Sequence, residues 1–210
     1  MVLTPRKQPR QQRSRETVAA ILEAAAQLFQ RHGYADTTTN KIAERAGVSI
    51  GSLYQYFPNK DALLVALAEH YLIQSTEQIA QVFARAAEDR PPLPDLLTDL
   101  VECVATLHTD RPGLHRLLFD QAPRTPDLVT RLRQAERRIA HALAGELRRL
   151  RAGGPNPDLN ALLAVQGIEA QLHGVLLDLP PDGDAPGHVR AVIRLWQLAL
   201  SEPCRLQDVR

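Results

Sequence analysis

The chain has 210 residues, of which 44% are hydrophobic, 23% charged and only 4% aromatic, with a formal net charge of +1. That length holds one domain or a small domain joined to a larger one, and Leu, Ala and Val must fill most of the core. No apolar run approaches the ~18 residues that span a bilayer, and the basic, Gln-rich start lacks an apolar h-region, so neither a membrane partner nor a secretory signal is expected. Cys103 and Cys204 have no paired spacing and read as free thiols of a reducing cytosol, which makes the expected location cytoplasmic.

The small net charge conceals an asymmetry. Residues 1–60 carry nine Lys/Arg against four acids, or +5, whereas the remaining 150 residues carry sixteen against twenty, or −4. A basic head on an acidic body is the electrostatic footprint expected where one end meets nucleic acid. Residues 1–14 are polar, basic and Pro-containing, which predicts a disordered arm; a solvated tail and a minor-groove arm both fit. Val18, Ile21, Leu22, Ala25, Leu28 and Phe29 then form the stripe of an amphipathic helix over 15–32, closed by Gly33.

The next stretch predicts two short helices joined by a tight turn. Thr38 can cap the first, Ile42 and Ala46 share a face, and Gly47 supplies the φ > 0 of a sharp helix exit. Ser49 can cap the second, Leu53 and Phe57 repeat the four-residue spacing, and Pro58 ends it. An ordinary αα-hairpin has this spacing too. The second helix, however, has few carboxylates and shows Ser49, Ser52, Tyr54, Gln55 and Tyr56. Short donors and flat aromatics can bond phosphates or base edges without repelling them, which favours a DNA-reading helix-turn-helix.

Asn59 can cap a long helix over 60–88, with Leu63, Leu64, Leu67, Tyr71, Ile79, Val82 and Phe83 on its apolar side. Proline-rich residues 89–94 break the chain before a helix over 95–109, and Pro112 opens a short helix. A second breaker at 121–126 precedes an Arg-rich helix over 127–151, ended by Gly153 and Gly154. Asp158 is the expected cap of a penultimate helix reaching residue 179, apolar over more than one stripe and so expected to bury two faces. A last helix is expected over 188–200. The fold class predicted is all-α with about nine helices: an arm at 1–14, a three-helix head at 15–59 and a helical remainder at 60–204.

Catalytic signatures are missing: there is no Gly-rich phosphate loop, nucleophile elbow or H-E-x-x-H. His108 and His115 lie near Cys103, but offsets of five and seven residues across the break at Pro112 disfavour convergent metal ligands. No enzyme activity, cofactor or metal is therefore expected. Glu102 and Glu169, each in an apolar helix, read first as partly exposed polar residues. With His108, His115, Gln166 and His173 they are also the candidate polar groups of a mostly apolar ligand pocket over 95–180, the alternative being a filled core with polar margins. A helical enzyme or metal-binding protein with an incidental hairpin is the rival reading, and a helix-turn-helix used only for protein contacts is another.

Residues 37–60, with Leu53-Tyr54-Gln55-Tyr56-Phe57 and the following Asn59-Lys60-Asp61-Ala62-Leu63, resemble the tetracycline-repressor (TetR) family of bacterial regulators. The motif likeness covers roughly residues 15–70 and is architectural beyond them. The resemblance implies a homodimer that represses transcription from a roughly palindromic operator in double-stranded DNA and is released by an unknown small effector, with the long fourth helix as the lever. Carried over residue by residue, Thr39, Ser49, Gly51, Ser52, Tyr54, Gln55, Tyr56 and Lys60 align with DNA-contacting positions. Thr39, Tyr56 and Lys60 would hold phosphates; Ser52, Tyr54 and Gln55 would face bases, Gln suiting adenine N6/N7. Gly51 would permit close approach, and Ile50 stands where the family often has Lys or another polar residue, offering a thymine methyl contact instead. The last two helices, which could also complete a monomer core, would form the dimer bundle, with Leu172, Leu176, Val192 and Trp196 as candidates for its seam.

Overall fold

The computed structural model describes residues 12–180 and 182–204. Among these the chain forms nine α-helices and no strand: α1 (Gln12–His32), α2 (Thr39–Arg45), α3 (Ile50–Tyr56), α4 (Lys60–Asp89), α5 (Leu93–Asp110), α6 (Pro112–Gln121), α7 (Pro126–Arg149), α8 (Pro157–Asp178) and α9 (Ala185–Leu200). Most of the expected arm lies outside the described residues, and 12–14 belong to α1. None of these helices is long and apolar enough to cross a membrane.

Local chemistry explains most helix ends. Asn59 Oδ1 accepts from the Ala62 amide at 2.8 Å and starts α4 as expected. α8 corrects an expectation: its cap is Asn156, whose Oδ1 accepts from the Leu159 amide at 3.1 Å, with Pro157 in the first turn. Asp158 lies two residues past the cap, inside the first turn, and pairs with Arg148 instead. Asp184 caps α9 through the Gly187 amide at 2.8 Å, so that helix starts earlier than its apolar pattern suggests.

The chain divides into two compact units. One holds the described residues up to Ile73 together with Arg111–Thr130; the other holds Gln74–Asp110 and the residues from Arg131 onward. The boundary thus falls inside α4 and not at the expected 59/60 position. α6 explains the difference, because Leu114, Leu117 and Leu118 share a core with Ile21, Phe29, Ile42, Leu53, Phe57 and Leu63. Gln30 caps α6 by accepting from the Leu114 amide, and Arg111 forks onto Glu23 at 3.1 and 3.2 Å.

The second unit packs the later part of α4 (Ile79, Val82, Ala86) with α5, α7, α8 and α9. Ala161, Ala164, Ile168 and Leu172 form the inward side of α8. A Cβ on Gly167 would lie only 2.2 Å from Cζ2 of Trp196, so the glycine makes room for the indole between α8 and α9. The indole Nε1 donates to Gln171 at 3.0 Å. After α7 the chain turns through Arg151, Gly153 and Gly154, all at positive φ, and backbone bonds from Gly153 to Leu200 and Gly154 to Glu202 fasten the end of α9 to this turn.

Candidate nucleic-acid interface

The helix-turn-helix is built from α2, α3 and the turn between them. Thr38 Oγ1 accepts from the Lys41 amide at 3.3 Å, and Ser49 Oγ accepts from the Ser52 amide at 3.0 Å, so both helices start on side-chain caps. Gly47 sits at φ 67°, and the Val48 amide donates back to Ala43 at 3.0 Å, closing α2 tightly. Ile42, Ala43 and Leu53 point into the core of the unit. With the inward positions fixed, the outward ones follow from the 3.6-residue period: Ile50, Gly51, Tyr54 and Gln55 are exposed.

This outer face has an unusual composition. α3 contains no charged side chain. Gln55 offers both a donor and an acceptor, Ser52 is half-buried beside Ser49, and Gly51 has only the Ser49 hydroxyl, 3.8 Å away, near the space a Cβ would fill. Tyr54 and Thr39 meet through their hydroxyls at 3.0 Å, tying the outer face of α3 to the first turn of α2. Asn40 and Lys41, both exposed on that turn, were not among the expected contacts. A polar residue and a cation in the first turn of a short helix are the signal that would have pointed to them.

Two expected phosphate ligands are placed differently. Tyr56 is only 8% exposed and packs into the core beside Leu53, since it lies three residues on from that buried side chain. The Lys60 ammonium donates to the carbonyls of Tyr34 at 2.5 Å and Thr37 at 2.9 Å and lies 4.0 Å above the Tyr34 ring. It fastens the loop after α1. Tyr34 in turn donates to Asp61, and burial together with that carboxylate pushes its phenol well above the usual tyrosine range.

The six candidate pocket residues have different surroundings. Glu102 is exposed on α5, and Gln166 on α8 donates to Glu136 of α7. His115 is buried in the first unit, where its Nδ1 and the Tyr71 hydroxyl share a hydrogen bond of 2.8 Å. His108, Glu169 and His173 come together in the second unit. Burial pushes the His108 imidazole pKa down, but the Glu169 carboxylate outweighs it and the net shift is upward.

Of the expected seam, Leu172 and Val192 are buried in the unit's own core, while Leu176 and Trp196 are half-buried against it. The apolar side chains left outward on the last two helices are Leu159, Leu163, Leu195 and Leu198, exposed by 49, 48, 48 and 67%.

Comparison with known proteins agrees with this architecture. Residues 21–67 match a family model described as bacterial regulatory proteins of the tetR family, and residues 92–195 match a tetracyclin repressor-like C-terminal domain. An HTH-type transcriptional regulator of Mycobacterium tuberculosis, Rv2912c, is 37% identical over 95 residues, which are 45% of this chain and 49% of that protein, so the chain spans about half the length of that relative. The probable regulator ArpR of Pseudomonas putida is 32% identical over 84% of this chain and 87% of its own length. Among solved structures, SmeT, the repressor of a Stenotrophomonas maltophilia multidrug efflux pump, superposes with a TM-score of 0.62 at 22% identity, covering 92% of this chain and 98% of its own. Two matched models that together span both the helix-turn-helix and the later helices, and a relative aligned over most of both chains, establish that this chain belongs to the TetR family of bacterial regulatory proteins.

Proposed function

We propose that this regulator works in the cytoplasm as a homodimer, binds a roughly palindromic operator in duplex DNA through α2 and α3, and represses transcription until a small, mostly apolar effector releases it. The observation that carries the DNA part is the outer face of α3. Every inward position there is apolar or aromatic, and every outward one is uncharged. Thr39 supplies a hydroxyl for phosphate, Tyr54, Gln55 and Ser52 supply base-edge donors and acceptors, and Ile50, 38% exposed, supplies a methyl surface for thymine. Ser49 and Gly51 shape the start of the helix. Lys60 and Tyr56 act at one remove, by holding the loops that carry these groups.

Dimerisation is supported by the four leucines that α8 and α9 leave outward, since a stable seam needs an apolar area the monomer does not use. The effector is supported by the side chains of α5 and α8, where Leu and Val surround a few polar groups. Release requires the effector to bind the DNA-incompetent state more tightly than the competent one.

The test is a selection of genomic fragments bound by the purified protein, followed by gel-shift titration at several salt concentrations. One or a few fragments with inverted repeats, bound with a steep salt dependence, are the expected result. Binding that is equal on all fragments would overturn the operator reading. Compounds that raise the melting temperature and release the selected operator identify the effector class.

A further inference from the structure

We propose that His108, Glu169 and His173 bind one divalent transition-metal ion of the zinc class. The three side chains come from two helices of one unit, His108 from α5 and the other two from α8. Glu169 and His173 are four residues apart, one turn of α8, and so share a face. Nε2 of His108 lies 3.5 Å from a Glu169 carboxylate oxygen, the rings of His108 and His173 are 5.8 Å apart edge to face, and the ligand atoms of all three residues lie within 4.8 Å of one another. A tetrahedral ion with bonds near 2.0–2.1 Å holds its ligand atoms about 3.3 Å from each other. The His108–Glu169 pair already has that separation, and movement of the half-exposed Glu169 and the half-buried His173 by about an ångström brings in the third ligand.

The tautomer of His108 is the second observation. Its Nδ1 lies 2.8 Å from the Val104 carbonyl, an acceptor that only an N–H can satisfy. The lone pair of the neutral ring therefore sits on Nε2, aimed at the carboxylate. An imidazole whose far nitrogen is bonded to a backbone carbonyl is the arrangement that orients histidine ligands toward a metal. His108 is only 1% exposed, which fixes its ring, whereas the side chain of Glu169 is 49% exposed and gives an ion a route in. Two imidazoles and one carboxylate suit Zn(II), Co(II) or Ni(II) and not the hard cations, which take oxygen ligands.

The site overlaps the lining proposed for the effector, but its test uses neither DNA nor an organic ligand, so it fails or stands separately from that reading. Tag-free full-length protein, stripped with chelator, would be titrated with ZnCl2 by calorimetry, and Co(II) would be added for its visible ligand-field bands. One ion per chain is expected, with Glu169→Gln and His173→Gln each weakening binding about tenfold or more, and with tetrahedral-type Co(II) bands lost in both variants. His108→Ala should abolish binding; because that ring is buried, the two α8 variants carry the conclusion if it does not fold. Binding well below one ion per chain, or an affinity unchanged in both α8 variants, would overturn the site and leave a protonated His108 paired with Glu169 as the reason for the cluster.

Discussion

The outer faces of α3 and of the α8–α9 pair are both surplus to the interior of their own unit, and they differ in kind. α3 turns out Gly51, Tyr54 and Gln55, whereas α8 and α9 turn out Leu159, Leu163, Leu195 and Leu198. A face of hydrogen-bonding groups without charge suits a polar partner whose sequence must be read. A face of leucines suits a partner that removes it from water. Each face therefore predicts a different failure when it is altered.

The largest effect is expected on the leucine face. Leu163→Arg or Leu198→Arg would place an unpaired guanidinium in the proposed seam, costing about 3–5 kcal/mol of association, so the dimer should dissociate in analytical ultracentrifugation while the circular dichroism of the monomer stays helical. Leu172→Ala provides the contrast. It lies in the unit's own core, so it should lower folding stability by about 2–5 kcal/mol by leaving a cavity. A wild type that sediments as a monomer at micromolar concentration would break the comparison at this end.

Next in size is Lys60. Its ammonium is bonded to carbonyls of the loop that follows α1, and Lys60→Met keeps the stem while deleting those bonds. Loss of charged hydrogen bonds of this kind should cost about 1.5–3 kcal/mol in stability, read as a lower melting temperature. The salt slope of DNA binding should change by less than one unit at temperatures where the variant remains folded. A full one-unit drop would return Lys60 to the phosphates, as its sequence position suggests.

Gln55→Ala probes the reading face itself. It should relax preference at one base pair by about 1–3 kcal/mol while leaving stability unchanged, because Gln55 is exposed. Gel shifts against single-base operator variants would show it, and an equal loss on every sequence would mean that Gln55 only contacts the backbone of the duplex.

How much of this was legible in the sequence depended on distance along the chain. The helix-turn-helix was, because its caps and turn are local: Thr38, Gly47, Ser49 and Asn59 do what their residue types dictate within four positions. The all-α fold was, because amphipathic spacing is also local. What the sequence does not carry is long-range. Tyr56 and Lys60 match the family's contact positions, yet their neighbours are set by the packing of α1 and the loop after it. α6 joined the head because its leucines met α1 across some 90 residues of chain, which no periodicity encodes. Leu172 and Leu163 are equally apolar in sequence, and only the packing partners of α8 decide which is spent inside. His108, Glu169 and His173 are candidates in the sequence, but their convergence is long-range too, since the partners of His108 lie on α8 and not among its neighbours in the chain.

The smallest expected effect is electrostatic and belongs to the surface of the first unit, where charge fastens α6 to α1 while α3 carries none. Burial pushes the Glu23 carboxyl upward, but hydrogen bonds from Arg111 and Gln27 and the charge of Arg111 outweigh it, and the net pKa is lowered from 4.5. A carboxyl whose folded pKa is depressed stabilises fully above its unfolded pKa, and that stabilisation is lost as pH falls through the folded value. Glu23→Gln should therefore be less stable than the wild type at neutral pH, by no more than about 1 kcal/mol because the pair is half-exposed. The difference should shrink as pH falls through the depressed folded value, where the wild-type carboxyl is protonated too. Urea unfolding of both proteins at pH 3, 5 and 7 measures it, with Arg111→Gln as the partner variant. A stability gap that stays constant across those pH values would mean that Glu23 acts through its hydrogen bonds alone and that the ion pair contributes nothing.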